Sequence, residues 1–252
     1  MQLINSKELI VLAYHTINDK CNFEKQIRYL LANYEIVKEM SGNSDQRQVI
    51  ITADDGDVSF YHHAFPVLKK YKIPAILFII TDLIDSDKPF WWTEIPYYLG
   101  EEEGNRKVWE VKTWPNRERE KYLQILRKNS AKPELKYKQL STNQLQEMKE
   151  AGIVIANHSH THPMFNKCTT GELDRELEKS TEKLRQLDFN PHIFAYPNGN
   201  FSETSEKKLM KYGIKKAPFS NPTFGKGGYR RNVLSFYSFK VSPSRKLVVA
   251  CG

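Results

Sequence analysis

The chain has 252 residues, of which 40% are hydrophobic and 27% are charged, enough for a sizeable core within one large domain. Lys and Arg outnumber Asp and Glu by 38 to 30, giving a formal net charge of +8. The positive charges form no run of about five or more, which argues against a dedicated nucleic-acid arm and leaves contact with an anionic surface open. We predict a single domain over residues 1–252.

The predicted elements alternate between short apolar runs rich in β-branched residues and segments of helical period. The predicted strands are Leu9–Tyr14, Gln48–Ala53, Ala75–Ile80, Gly152–Ala156 and His192–Tyr196. The predicted helices are Phe23–Ala32, Phe60–Tyr71, Arg117–Lys128, Thr142–Ala151, Gly171–Leu187 and Glu203–Tyr212. This alternation is typical of a parallel sheet wrapped by helices, so we predict an α/β fold with a distorted or incomplete (β/α) barrel.

Two regions interrupt the alternation. Residues 85–140 are rich in aromatic side chains and lack a Gly/Ser/Pro-rich flank, so we expect an elaboration on the barrel rather than a second domain. After about Gly213 the sequence becomes loop-rich.

The spacing of the cysteines and the length of the apolar runs indicate where in the cell the protein is located. Cys21, Cys168 and Cys251 are too far apart for a readable disulfide framework or metal knuckle. The N-terminus lacks the pattern of a secretory signal, and the most apolar run, Ala75–Ile80, is much shorter than the ~20 residues of a membrane span. We expect a cytoplasmic protein, with peripheral contact to the inner membrane surface left open.

Two adjacent carboxylates follow the second predicted strand, in the segment Thr52-Ala53-Asp54-Asp55-Gly56. Because strand side chains alternate, Asp54 and Asp55 point in different directions and can serve as a base and as a cation ligand. A pair of helix-capping or turn residues is the alternative for an isolated Asp-Asp-Gly.

Three histidines lie within five positions after the fourth predicted strand, in His158-Ser159-His160-Thr161-His162. His158 and His162 are four residues apart, so one turn of helix or a tight loop places both rings on one side. His160 would then point elsewhere and serve a structural role. Two histidines and one aspartate form a three-ligand site with open positions, which is typical of a catalytic metal.

Together these segments resemble the motifs of the NodB-like polysaccharide deacetylases, carbohydrate esterase family 4. The family's Thr-Phe-Asp-Asp-Gly is similar to the aspartate segment, with Ala53 in place of Phe. Its histidine motif, often followed by Pro, is similar to the segment from His158 to Pro163. A third motif resembles Phe194-Ala195-Tyr196-Pro197-Asn198-Gly199. The opening Leu9–His15 resembles the subgroup that includes poly-N-acetylglucosamine deacetylases.

The resemblance implies hydrolysis of an N-acyl amide on an amino sugar, with the following roles. Asp54 is the general base, which takes a proton from water. Asp55, His158 and His162 hold one divalent metal ion, with zinc expected and cobalt, nickel, manganese or iron as alternatives. Tyr196, Pro197 and Asn198 line the pocket, and the Asn198 backbone N–H stabilises the oxyanion.

The sequence departs from the family's pattern at two points. Ala195 stands where many members carry a base-orienting Arg, and we expect Arg231, or alternatively Arg230, to replace it. The downstream Leu-x-His motif, which supplies the general acid, is not found, so we expect His15 to protonate the leaving amine. The substrate stays open among a polymer, a lipid-linked or phosphate-carrying intermediate and a soluble amino sugar.

Three other functions are compatible with parts of the pattern. An amidohydrolase would use His158-Ser159-His160 as His-x-His but needs more histidines downstream. A sugar-nucleotide transferase would use Asp55-Gly56-Asp57 as Asp-x-Asp but leaves the histidines without a role. A saccharide-binding module without activity is the third, and Phe90-Trp91-Trp92 either stack on sugars or pack on the barrel.

Overall fold

The computed structural model describes residues 9–39, 47–216 and 232–235. Its strands are β1 Leu9–Tyr14, β2 Glu35–Ile36, β3 Gln48–Ala53, β4 Ala75–Ile79, β5 Ile153–Asn157, β6 Ile193–Phe194, β7 Lys215–Lys216 and β8 Asn232–Ser235. Its α-helices are α1 Lys20–Asn33, α2 Phe65–Tyr71, α3 Trp91–Leu99, α4 Glu101–Val111, α5 Asn116–Asn129, α6 Thr142–Glu150, α7 Thr170–Gln186 and α8 Glu203–Lys211.

The strands of the described residues form one eight-stranded sheet in the order β7-β6-β5-β4-β3-β1-β8, with β2 paired to β3. β1 runs parallel to β3 and β8, β3 runs parallel to β2 and β4, and β5 runs parallel to β6. Helices connect most successive strands, as parallel pairing requires. Within the described residues the path of strands does not close on itself, so the predicted incomplete (β/α) barrel is confirmed.

The chain contains two compact units, each with its own core. The described parts of Met1–Ile79, Asn143–Ala156 and Lys216–Gly252 form the first unit. Its core contains the fully buried strand β3 and apolar residues of α1 and α2, among them Ile27 and Leu68. Ile80–Thr142 and Asn157–Lys215 form the second unit. A single domain over the whole chain stays a prediction.

The second unit has two apolar clusters. The first joins α7 and α8 to β6 and consists of Phe165, Leu173, Leu177, Phe194, Tyr196, Leu209 and Ile214. The second joins α3, α4 and α5 and consists of Trp91, Ile95, Val108, Val111, Leu123 and Met164. In the interrupted region, Phe90 and Trp91 are therefore core residues, whereas Trp92 is half-buried.

Several predicted elements need correction. Residues 85–140 contain three helices rather than the one predicted, because charged runs and Pro96 obscure the helical period of α3 and α4. The predicted helix Phe60–Tyr71 begins with a π-helical turn, Phe60–Ala64. The region after Gly213, expected to be loops, contains β7 and β8, and β8 is held by parallel pairing with β1.

No helix among the described residues is both long and apolar enough to cross a membrane. The expected cytoplasmic location stays a prediction.

Candidate active site

The two aspartates lie where β3 ends, beside the end of β1. Tyr14 pairs with Ala53 in the parallel register, and the Asp54 backbone N–H donates to the Tyr14 carbonyl over 2.8 Å. His15 directly follows β1, so it occupies the position next to Asp54 along the same edge of the sheet. Parallel strands bring their carboxyl ends together, and this edge is where (β/α) barrels place their active sites.

A tight turn follows β3 at Asp55 and Gly56. Asp55 has a φ of 68°, the left-handed conformation that residues with a β-carbon rarely adopt. Gly56 follows with a φ of 78°, and a β-carbon there would lie 3.0 Å from Cγ2 of Ile79. Glycine is favoured at this position, because another residue would be strained by the backbone angle and crowded against Ile79 of β4.

Asp57 has a local structural contact. Its carboxylate accepts the backbone N–H of Ser59 over 2.9 Å, and its carbonyl accepts the N–H of Phe60 over 3.0 Å at the start of the π-helical turn. This is the pattern of a turn residue. The contact counts against a transferase in which Asp55-Gly56-Asp57 would bind a cation.

His158 is buried directly after β5, with 1% of its surface exposed. Its ring Nδ1 lies 2.9 Å from the carbonyl oxygen of Ala195. Because a carbonyl only accepts, Nδ1 carries the hydrogen and the lone pair of the ring lies on Nε2. Metal-binding histidines in proteins are commonly oriented by such a bond from the second ring nitrogen.

His162 closes the loop that begins at His158. Its φ is 57°, and its backbone N–H donates to Ser159 Oγ over 3.0 Å. Its ring centroid lies 4.9 Å from that of His158 and 4.6 Å from that of Trp92. The ring is therefore held between the other histidine and an aromatic side chain of α3.

The predicted ligand residues come together. One oxygen or nitrogen atom from each of Asp55, His158 and His162 lies within 4.8 Å of the other two. Two imidazole nitrogens and one carboxylate oxygen form a donor set that suits zinc and neighbouring divalent ions. The residues present therefore fit the metal that the sequence predicts.

His160 turns to a different set of partners, as expected. Its Nδ1 is 2.9 Å from Thr81 Oγ1, and its Nε2 is 3.7 Å from Asp82 Oδ1. Burial lowers the pKa of His160 below its ordinary value. His160 is not among the three residues whose ligand atoms cluster.

The third motif forms a 3₁₀ turn, Pro197–Gly199, in which Asn198 is exposed and has a φ of 51°. The Tyr196 ring packs in the first apolar cluster, 5.2 Å from the Phe194 ring, and burial raises the pKa of Tyr196 to about 12. Arg230 and Arg231 lie outside the described residues, so their predicted role stays a prediction.

A cavity of about 340 Å³ adjoins the histidine loop within the second unit. Its lining includes Phe90, Trp92, Thr161 and His162, together with charged residues of α3 and α5. The Phe90 and Trp92 rings are stacked with their centroids 4.9 Å apart. The cavity thus combines an aromatic wall with polar groups next to a candidate metal ligand.

Sequence reasoning missed three residues that support the loop. Ala195, treated only as the site of a missing arginine, supplies the carbonyl that orients His158. Glu176 and Arg119 hold the backbone of residues 160–162. A signal for the two charged residues exists, because Glu176 adjoins Leu177 on the apolar stripe of α7 and Arg119 lies one turn before Leu123 on α5.

Comparison with known proteins identifies the family. The polysaccharide deacetylase family matches residues 41–217, more than half of the chain. The chain belongs to this family. The match spans all three motifs, from the aspartates to the turn at Asn198.

The chain is also similar to individual curated proteins. The poly-beta-1,6-N-acetyl-D-glucosamine N-deacetylase of Staphylococcus aureus is 26% identical over 212 residues, which cover 77% of this chain and 57% of the relative. The uncharacterized protein YlxY of Bacillus subtilis is 33% identical over 93 residues, which cover 35% of this chain and 29% of the relative. The chain thus spans about half or less of the length of these relatives.

The structure of IcaB from Ammonifex degensii is similar in fold. Its TM-score is 0.57 at 23% sequence identity, and the alignment covers 83% of this chain and 82% of that chain. This likeness concerns the fold alone and supports the fold described above.

Proposed function

We propose that the protein is a metal-dependent hydrolase that removes an N-acetyl group from an amino sugar of a polysaccharide or glycan precursor. The products are acetate and a free amine. The observation that carries the proposal is the cluster of ligand atoms from Asp55, His158 and His162 in a chain of the polysaccharide deacetylase family. The orientation of His158 by the Ala195 carbonyl supports it, because the bond to Nδ1 places the lone pair of the ring on Nε2, the nitrogen that would bind an ion.

The proposed ion is a single divalent metal, with zinc first and cobalt, nickel, manganese or iron as alternatives. Asp55, His158 and His162 would hold it. When bound, such an ion polarises the amide carbonyl and makes water more acidic. Metal identity depends on availability as much as on this donor set, which all five ions accept.

Asp54 and His15 lie at the same edge of the sheet, and with the third motif they carry the proposed proton transfers and the contact to the oxyanion. Asp54 takes a proton from the attacking water, which adds to the carbonyl carbon. The backbone N–H of Asn198 stabilises the charge that develops on the carbonyl oxygen, with Tyr196 and Pro197 shaping that turn. His15 gives a proton to the nitrogen as the C–N bond breaks. Arg231, or alternatively Arg230, orients Asp54.

The cavity beside His162 is the proposed place for the saccharide. Aromatic rings suit the apolar C–H faces of sugars, and Trp92 is the half-buried member of the aromatic wall. An N-acetylated polymer, a lipid-linked or phosphate-carrying intermediate and a soluble amino sugar all present the same amide. The Staphylococcus aureus relative, named for poly-N-acetylglucosamine, makes a β-1,6-linked N-acetylglucosamine oligomer the first substrate to test.

The experiment compares the unaltered chain with His158→Ala and with His192→Ala as a matched control. His192 is exposed, and its ring Nδ1 lies 3.1 Å from the Gly213 carbonyl oxygen. Metal content and acetate release from the oligomer are measured for all three proteins. We expect one ion per chain and acetate release for the unaltered chain and His192→Ala, and neither for His158→Ala.

Two results would contradict the proposal. Full metal content in His158→Ala would remove His158 from the ligand set. Metal binding without acetate release from any N-acetylated saccharide would favour a saccharide-binding module instead.

A further inference from the structure

The loop segment from His160 to His162 lies between a buried carboxylate and a buried guanidinium. Glu176 on α7 is 7% exposed and accepts the backbone N–H groups of His160 and Thr161 over 2.9 and 2.8 Å. It also accepts the Thr161 hydroxyl over 2.7 Å. Three donors converge on one carboxyl group, which suits the acceptor-only ionised form.

The guanidinium comes from the helical region that sequence analysis treated as an elaboration. Arg119 on α5 is 4% exposed, and its Nη1 donates to the His162 carbonyl over 2.9 Å. The indole Nε1 of Trp91 on α3 donates to the same carbonyl over 3.3 Å. The guanidinium carbon lies 5.1 Å from the centroid of the Trp91 ring, within cation–π range.

Burial disfavours the charged forms of both Arg119 and Glu176, so the presence of these two residues at buried positions needs a physical explanation. Burial lowers the pKa of Arg119 and raises the pKa of Glu176, and the attraction between the two groups opposes each shift. The ion pair that Arg119 forms is with Glu120, whose Oε1 lies 4.0 Å from Arg119 Nη2, so the attraction between Arg119 and Glu176 acts over a longer distance and is weak as a source of stability. What Arg119 and Glu176 do achieve here is geometric, since both bind the backbone of residues 160–162.

The backbone they hold is unusual. His162 has a left-handed φ of 57°, which costs a residue with a β-carbon on the order of 1 kcal/mol and persists only when the surroundings enforce it. Arg119 and Trp91 donate to the His162 carbonyl, and Glu176 accepts the N–H groups of the two preceding residues. Hydrogen bonds on both sides of His162 therefore enforce this backbone conformation. The same conformation sets the direction of the His162 ring toward His158.

We propose that Arg119 and Glu176 are positioning residues that clamp residues 160–162 and so preorganise His162 for the metal ion. This inference rests on the proposed function, because it assumes that His162 binds an ion. It assigns the α3–α5 region a role in forming the metal site. Outer groups that orient ligands contribute about 10- to 100-fold to metal affinity in other proteins.

The experiment measures the Zn²⁺ dissociation constant of the metal-free full-length chain by competition with a chromophoric chelator. Arg119→Met removes the donor, and Arg127→Met is the matched control. Arg127 lies on the same helix, and its guanidinium forms a bidentate pair with the buried Glu94, at 2.8 and 2.6 Å, rather than with the loop backbone. Thermal unfolding of both metal-free variants reports their stability.

We expect Arg119→Met to weaken Zn²⁺ binding by about 10- to 100-fold. We expect Arg127→Met to lose stability yet keep its Zn²⁺ affinity. Arg119→Lys, which retains a positive charge and a donor, should recover part of the affinity, and Glu176→Gln should weaken it. If Arg119→Met does not fold, Arg119→Lys and Glu176→Gln decide the question by the same measurement.

The outcomes separate the clamp from the proposed function. Zn²⁺ affinity equal to that of the unaltered chain in the folded Arg119 and Glu176 variants overturns the clamp and leaves the metal site intact. Equal weakening in Arg119→Met and Arg127→Met also overturns it, because the effect would then be general destabilisation. Absence of His158-dependent Zn²⁺ binding in the unaltered chain overturns the proposed function itself.

Discussion

Replacement of Gly104 by alanine tests how closely α3 and α4 approach each other. Gly104 is a buried residue inside α4, and a β-carbon there would lie 2.1 Å from Pro96 Cα and 2.6 Å from Pro96 N. Unbonded carbon atoms prefer separations of about 3.5–4.0 Å, so the helices would have to separate locally by roughly 1.5 Å. The atoms that must move are backbone atoms, which no rotamer change can relieve.

The net effect follows from two opposing terms. Alanine is favoured over glycine inside a helix by about 1 kcal/mol. Overpacking typically costs about 1–3 kcal/mol, and a backbone clash belongs at the upper end of that range. We therefore expect Gly104→Ala to lower the free energy of unfolding by about 1–2 kcal/mol, or Tm by about 2–8 °C for a chain of this size.

The assay is urea and thermal unfolding followed by circular dichroism, with Gly171→Ala as the matched control. Gly171 lies in the exposed first turn of α7, and the nearest atom to an added β-carbon would be Arg175 Nη1 at 3.9 Å. This control should equal the unaltered chain or gain up to about 1 kcal/mol. A Gly104→Ala protein as stable as Gly171→Ala would refute the close packing of α3 on α4.

Two further predictions concern the proposed chemistry. Asp54→Asn should bind Zn²⁺ normally but lose about 10²- to 10⁴-fold in turnover, because a general base is lost. Turnover is measured as acetate release per bound ion. Loss of the metal with unchanged turnover per bound ion would contradict this role. His15→Ala should nearly abolish cleavage of an N-acetyl amide yet largely spare an activated acetate ester, whose leaving group departs without a proton. Equal loss of both activities, or of neither, would give His15 another role.

The sequence alone determined the elements whose residues carry a strong local pattern. β1 and β3 have the predicted bounds, because buried strands of parallel sheets are short apolar runs with clear ends. The stripe that places Leu173, Leu177 and Leu184 on one face predicted α7, and these leucines are buried. The two-residue strands β2 and β7 have no such pattern, since they exist only through pairing with neighbours.

The sequence also determined the candidate ligands. The spacing of four residues between His158 and His162 points to a shared metal, and the resemblance to the family's aspartate motif implies Asp55 as the third ligand. Their ligand atoms lie within 4.8 Å of one another. Their proposed roles are predictions that the experiments above address.

Only the tertiary structure decided which groups orient those ligands. The Ala195 carbonyl is 37 residues from His158 and is chemically like every other carbonyl of the chain. Arg119 is 43 residues from His162, and its place one turn before Leu123 indicates only that it lies on the apolar side of α5, not which group it binds. Hydrogen bonds act over about 3 Å, so such partners are selected by folding, which brings distant segments together, and not by any local pattern.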